Sequence, residues 1–148
     1  MLFRSPTEAE WEYACRAGTT TPFHFGETIS TEQANYNGDF VYGNGTKGVL
    51  RNKTTPVGSF PANAWGLHDM HGNVFQWCQD WYGEYPNHEV TDPLGPTTGL
   101  GFARGQERVL RGGSEGTHPW ACRSAYRYGL EPDNRSIDCG FRLCFSLD

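Results

Sequence analysis

Between Gly72 and Gly83 the chain reads "GNVFQWCQDWYG", with Phe75, Trp77, Gln79 and Trp81 at one parity and Val74, Gln76, Cys78 and Asp80 at the other. This period of two predicts a β-strand. Two further strands are expected at "ERVLRGG", around Val109 and Leu110, and at "CGFRLCF", where Phe141, Leu143 and Phe145 alternate with Arg142 and Cys144. The period changes near the start of the chain. In "RSPTEAEWEYACRAG", Trp11 and Cys15 lie one helical turn apart with Ala14 beside them, so a short helix is expected to carry Trp11 into a core. Ser5 as the cap, Pro6 in the first turn and Glu8 completing an S-x-x-E box would start that helix, and Gly18 would end it.

From Thr19 to Phe60 neither period is sustained, and N-G, G-N and T-P steps mark turns. A loop region of this length in a compact domain is expected to be functional or to be held by ligands or metal. Another surface excursion is expected between Tyr85 and Gly105, where Pro and Gly recur. The pattern as a whole predicts an α+β domain of low regular secondary structure, with one short N-terminal helix, small antiparallel sheets and long loops. No linker or internal repeat divides it, so residues 1–148 are read as one domain.

Composition narrows the function. A net charge of -5 disfavours nucleic acid as a partner, because phosphate recognition needs clustered Lys and Arg. No stretch has the apolar length of a membrane span and Met1–Arg4 does not open a signal-peptide core, so a soluble, cytoplasmic protein is expected. The 5 cysteines include no CxxC pair and are read mainly as reduced, small buried hydrophobes. Cys122 lies in the mixed aromatic and basic stretch "RGGSEGTHPWACRSAYRYG", where it is either a nucleophile or a packing residue; the packing reading is preferred.

Taken in order, "RSPTEAEWEYACRAG", "TTPVGSFPANAWGLHDMHGNVFQWCQDWYG", "RVLRGGS" and "RSAYRYGLEPDNRSIDCGFRL" resemble the formylglycine-generating enzyme (sulfatase-modifying factor) family. The resemblance implies a C-type-lectin-like fold. It also implies an additional N-terminal segment with an opening strand ahead of the "PTEAEWEYA" helix. This chain begins almost at that helix, as a minimal or truncated member would, so the strand at Phe141–Phe145 is expected to lack a neighbour. Such an open edge would suit a second copy or a partner strand.

The family's enzymes oxidise a peptide cysteine with copper and oxygen, holding Cu(I) on two cysteines shortly after the GGS element. Here "EGTHPWACRSAYR" follows Gly112-Gly113-Ser114 and contains one cysteine, Cys122, so no copper is expected and catalytic residues are expected to be absent. The resemblance also implies calcium near the GNV segment, through Asp69, the Gly72 and Val74 carbonyls, and Gln76. Gln76 stands where the family has Glu, so either weaker calcium binding or a bridge of hydrogen bonds is expected. A second calcium position would use Asn35 and the Tyr36 carbonyl, but "GVLRNKT" offers no carboxylate near Val49, and no ligation is expected there.

Residues 110–144 carry a further pattern. Inside the framework "RGGS…C-R-S-A-x-R…P-D-N-R…G-F-R" lie Gly116, Thr117, His118, Ala121, Tyr126, Tyr128, Gly129, Leu130, Ser136, Ile137 and Asp138. Codons for all of these residue types arise from an asparagine codon by changing adenines only. The segment thus resembles the variable regions of lectin-fold proteins diversified by diversity-generating retroelements. Gly116, Thr117, His118, Trp120, Tyr126, Tyr128, Leu130, Ser136, Ile137 and Asp138 are the expected ligand-facing residues, with the tyrosines sharing one face if the segment is extended. The expected partner is an unidentified protein or other macromolecule. The alternatives are a copper- and oxygen-dependent oxidase of peptide cysteine and a scaffold with a fixed recruiting surface. Arg142 and Asp133 are read as framework.

Overall fold

A computed structural model describes residues 3–99 and 106–145. Its elements are strand β1 (Phe3–Arg4), helix α1 (Glu8–Arg16), strand β2 (Phe75–Trp81), strand β3 (Arg108–Arg111), a 3-10 turn at Pro119–Cys122, and strands β4 (Tyr128–Leu130), β5 (Cys139–Phe141) and β6 (Cys144–Phe145). Four strands form one sheet in the order β4-β3-β2-β5, and β1 pairs with β6 in a separate two-stranded ribbon. The arrangement is α+β, with most of the chain in loops.

Helix α1 starts two residues later than its sequence suggested. Thr7 is the cap: its hydroxyl accepts from Glu10 N at 3.1 Å, and the Glu10 carboxylate accepts from Thr7 N at 2.7 Å. The Ser5/Glu8 box is therefore corrected to Thr7/Glu10. Two overlapping S/T-x-x-E frames were available, and long-range pairing selected between them, because Glu8 points into the protein. The helix closes through Ala17 in the left-handed region (φ 46°), followed by Gly18.

Strand β2 has the expected parity, and its polar side is the buried one. Gln76, Cys78 and Asp80 face inward, while Trp77, Gln79 and Trp81 are half-buried. The inward polar groups are satisfied: Trp11 Nε1 donates to Gln76 Oε1 at 2.9 Å, and Glu8 N donates to Asp80 Oδ2 at 2.7 Å. On the other side the Arg108 guanidinium lies 3.5 Å from the centre of the Trp81 ring.

The expected single strand at "CGFRLCF" is two. β5 pairs in parallel with β2 (Phe75 with Cys139), and β6 pairs antiparallel with β1 (Arg4 with Cys144). The end of the segment therefore has a neighbour in this chain, contrary to the expectation. Phe141, Leu143 and Phe145 are exposed. Arg142 turns inward instead, donating from Nε to Gln76 Oε1 at 3.0 Å and from NH2 to the His68 carbonyl at 2.8 Å.

Two apolar clusters organise the loops. Trp11, Cys15, Met70, Cys78 and Val109 join helix to sheet. Phe23, Ile29, Ala34, Tyr36 and Cys122 form the second, so the long segment after Thr19 carries a small core of its own and closes it with Cys122. Each fully buried large side chain of this kind contributes about 1.5–3 kcal/mol. All five cysteines are free thiols, with Cys139 and Cys144 half-buried rather than buried.

A buried ionic cluster holds the helix to the sheet. Arg111, with no exposed surface, donates to Glu8 at 2.7 Å, to Glu12 at 2.5 Å and to the Ser124 carbonyl. Arg127 reaches the same Glu8 with two bonds, at 2.6 and 2.7 Å. Two guanidiniums meet two carboxylates, which offsets the desolvation of each. Glu8→Ala is expected to cost about 3–5 kcal/mol by leaving buried arginine charge uncompensated. Thr7→Ala, which removes only a cap, is expected to cost about 1 kcal/mol. Urea midpoints of the two variants check this, and equal losses would contradict the assignment of Glu8 to the core.

Candidate functional site

Four of the side chains singled out after Gly113, His118, Trp120, Tyr126 and Tyr128, form a row of aromatic rings. The 3-10 turn is anchored from beneath by Pro119, Ala121 and Cys122, all buried, which leaves Trp120 pointing out at 47% exposure. His118, just before the turn, stacks on Phe40 with centroids 3.6 Å apart and planes at 19°. Trp120 meets Tyr126 edge-on at 5.1 Å. Tyr128, on β4, stacks on Phe75 at 5.4 Å. Phe75 N in turn donates to the Asp138 carbonyl at 2.8 Å, which brings residues 136–138 beside the row. Burial, followed by the nearby Tyr128, raises the Tyr126 phenol above its ordinary value, so it remains a neutral donor at pH 7.

The tyrosines share this face although the segment is not one strand. Tyr126 N donates to the Arg123 carbonyl in a turn, and only Tyr128–Leu130 is extended. Arg127 points the other way, over the Tyr85 ring at 4.0 Å and onto Glu8, and this fixes the orientation of its two neighbours. Gly116 is exposed at the tip of the Ser114–Thr117 turn, and Ile137 is almost fully exposed. Leu130 is half-buried in β4 opposite Arg108.

Some singled-out positions serve the scaffold. Thr117 turns inward: its hydroxyl bonds both Ser114 N and Ser114 O, and it lies 3.7 Å from Cys122 Sγ. Ser136 bonds to the Asp138 carboxylate. Ala121 is buried, and a side chain at Gly129 would have to displace the Glu107 carboxylate and press on the Tyr82 ring. Sequence reasoning missed Phe40 and Phe75. Phe40 had a signal, as an aromatic stranded among Gly, Asn and Asp in "NGDFVYGNG".

Cys122 does not fit a copper ligand or a nucleophile. It is fully buried between Gly113, Thr117 and the His118 carbonyl, and burial pushes its thiol up to about 12. Among the described residues no three His, Cys, Asp or Glu side chains group as metal ligands.

The first calcium set does not fit a cation either. Gln76 Oε1 already accepts from Trp11 and from the Arg142 guanidinium, and Gln76 Nε2 donates to the Asp69 carbonyl at 2.8 Å. Of the two expectations for Gln76, the hydrogen-bond bridge is the one these contacts describe. Asp69 accepts from Gly58 N at 3.1 Å, as a turn carboxylate does, and Gly72 O accepts from Val74 N. At the second position Asn35 is fully buried and its Oδ1 has no hydrogen-bond partner, so this amide oxygen does fit a hard cation.

The row of rings is built by loops on a C-type-lectin-like α+β scaffold. Residues 3–147 match the Sulfatase-modifying factor enzyme 1-like domain, and the chain belongs to this formylglycine-generating-enzyme (FGE-sulfatase) family. It is 40% identical over 144 residues to the serine/threonine-protein kinase pkn1 of Chlamydia caviae, covering 94% of this chain and 20% of that protein. It is 36% identical over 148 residues to the formylglycine-generating enzyme of Mus musculus, covering 94% of this chain and 38% of the enzyme. Among solved structures, Treponema denticola variable protein 1 superposes with a TM-score of 0.75 at 34% identity, over 95% of this chain and 46% of that one. The chain therefore spans less than half the length of each of these relatives. Among the described residues no helix is long and apolar enough to cross a membrane.

Beneath the face, His71 ties the second core to the 3-10 turn. Its Nδ1 donates to the Cys122 carbonyl at 2.7 Å and its Nε2 accepts from His24 N at 3.1 Å, while the two imidazoles stack at 4.8 Å. Burial pushes His71 down to about 3 and His24 down to about 4. Both folded values lie below the ordinary 6.5, so the unfolded chain binds more protons between those limits. Stability is expected to be complete above pH 6.5 and to fall as the pH drops through this window, by about 1.4 kcal/mol per pH unit for each histidine. Urea midpoints from pH 7 to pH 4 test it, and His71→Gln should flatten the slope.

Proposed function

We propose that the chain is a non-catalytic binding module whose contact surface is the aromatic face, and that retroelement copying diversifies this surface. The observation that carries the reading is the placement of His118, Trp120, Tyr126 and Tyr128 as one partly exposed row on a scaffold whose framework arginines turn inward. Tyr and Trp offer large contact area with few rotatable bonds, and the surrounding Gly, Ser and Asp adapt. The likeness to Treponema denticola variable protein 1 supports the same reading. The ligand would be a macromolecule laid across the row. Thr117, whose hydroxyl turns inward, leaves the contact set, and Phe40 joins it.

If a hard cation is held, Asn35 Oδ1 and the Tyr36 carbonyl would hold it as a structural brace. Its chemistry there would be charge compensation of carbonyl oxygens in the loop.

The decisive experiment is to sequence the DNA flanking the gene. A near-copy of the stretch encoding Leu110–Cys144, with adenines where the gene differs and a reverse-transcriptase gene beside it, is the expected result; flanks without such a copy would remove the diversification. For any partner then captured, Trp120→Ala is expected to weaken binding by about 2 kcal/mol, roughly thirtyfold, with the melting temperature unchanged.

The relation to the mouse formylglycine-generating enzyme favours one rival reading, oxidation of a peptide cysteine. Incubation with copper(I), oxygen and a sulfatase-motif cysteine peptide is expected to yield no aldehyde by mass spectrometry, since Cys122 is closed off and has no paired thiolate in its loop.

A further inference from the structure

A groove apart from the aromatic row, meeting it only through Arg127, runs along α1, roofed by the Pro- and Gly-rich excursion after Tyr82. Its larger part, a cavity of about 860 Å³, lies between Glu8, Glu12 and Tyr13 of the helix and Tyr85, Val90 and Leu94 of the excursion. A second cavity of about 570 Å³ shares Ala9, Tyr13, Asp92, Pro93 and Leu94 with the first, so the two form one elongated trough. The excursion is seated, because a Cβ at Gly95 would stand 2.9 Å from the Asp80 side chain and one at Gly83 would stand 2.8 Å from Pro96.

The trough is apolar at its lip and acidic within. Tyr13, Tyr85 and Leu94 are 69%, 60% and 72% exposed, an unusual density of large apolar side chains for open surface. Six carboxylates line the two cavities (Glu8, Glu10, Glu12, Asp80, Glu84 and Asp92) against two cations, Arg4 and Arg127. Arg16 pairs with Glu12, and Arg111 with Glu8 and Glu12, so four cations in all meet the six carboxylates and an excess of two remains. Glu8, Glu10 and Glu12 are engaged by arginines; Glu84 and Asp92 form no ion pair among the described residues and are exposed. Asp80, 4% exposed, lines the wall with one oxygen held by Glu8 N, and burial raises its carboxyl.

The trough already shows how it receives a guanidinium. The Arg127 guanidinium lies 4.0 Å from the centre of the Tyr85 ring and 4.8 Å from that of Tyr82 while forking onto Glu8. From this shape and charge we infer that the trough binds an extended peptide segment of a partner protein, one that alternates basic and aliphatic side chains. The aliphatic groups rest on Tyr13 and Leu94, and the cations face Glu84 and Asp92. Two joined cavities call for an elongated occupant, and the charge excess requires it to be cationic. The inference does not rest on the aromatic face.

The test is a nuclear magnetic resonance titration of the isotope-labelled protein with a synthetic peptide of alternating leucine and arginine, its leucine–glutamate counterpart, and spermidine. The arginine peptide alone is expected to shift the amides of Ala9, Tyr13, Asp92 and Leu94. Raising salt from about 50 to about 300 mM is expected to weaken it about tenfold, because exposed pairs are screened. The Glu84→Gln, Asp92→Asn double variant, both changes being at exposed positions, is expected to lose at least about fivefold while keeping the wild-type spectrum elsewhere. Shifts confined to Trp120 and Tyr128, equal response to the glutamate peptide, equal affinity for spermidine, or no response at all would each overturn the assignment.

Discussion

One carboxylate, Glu8, sets the relation of three parts of the molecule. It accepts from Arg111 on β3 and from Arg127 in the variable-type segment, and it sits on α1. Arg111 extends the cluster to Glu12 and to the Ser124 carbonyl, so helix, sheet and display segment share one buried network. Burial alone would lower the Arg111 guanidinium, but the facing carboxylates outweigh it and keep it charged. Such a network is geometrically demanding, since each partner left unpaired would carry an uncompensated charge in a dry site. The outward orientation of Tyr126 and Tyr128 follows from it, because Arg127 between them is committed inward.

The same economy of structure appears where the chain lacks helices and strands. Asn73, in the left-handed region at φ 70°, accepts with its side chain from Asn35, Thr55 N and the Thr55 hydroxyl, and its backbone bonds both Asn35 and Glu115. Gly72 beside it donates to the Gly112 carbonyl at 2.7 Å, and a Cβ there would stand 2.3 Å from the Asn35 carbonyl oxygen. This turn joins the long loop, β2 and the RGGS element at one point. A scaffold pinned by such side-chain hubs and by two small apolar clusters leaves intervening loop tips free to change sequence without disturbing the fold. It also explains why the long loop is ordered without regular hydrogen-bond ladders.

Much of this was legible, in proportion to how local the governing interaction is. Trp11 and Cys15 at helical spacing went to the core as expected, Cys122 proved to be packing, and β2 and β3 stand where the alternation put them. Parity did not say which side of β2 is buried, because the inward side is polar and depends on Trp11, Arg142 and Glu8 arriving from elsewhere. The same limit produced the Ser5/Glu8 capping box, a sound local choice displaced by the long-range demand of two arginines. At "CGFRLCF" alternation did not say which side is buried, and the arginine between the aromatics found the buried partners.

The sequence by itself determined the family, the α+β class, the short N-terminal helix and the strand parities. These depend on residue types and on spacings within a turn or a strand, which local sterics and hydrogen bonding convert directly into conformation. Only the tertiary structure decided that Gln76 bridges Trp11, Arg142 and Asp69 by hydrogen bonds, that Thr117 turns inward, that Phe40 and Phe75 underlie the aromatic row, and that an acidic trough lies along α1. Apart from the Thr117 turn, each of these is a contact between residues far apart in the chain, and no local rule states which side chain a buried donor or an exposed ring will meet.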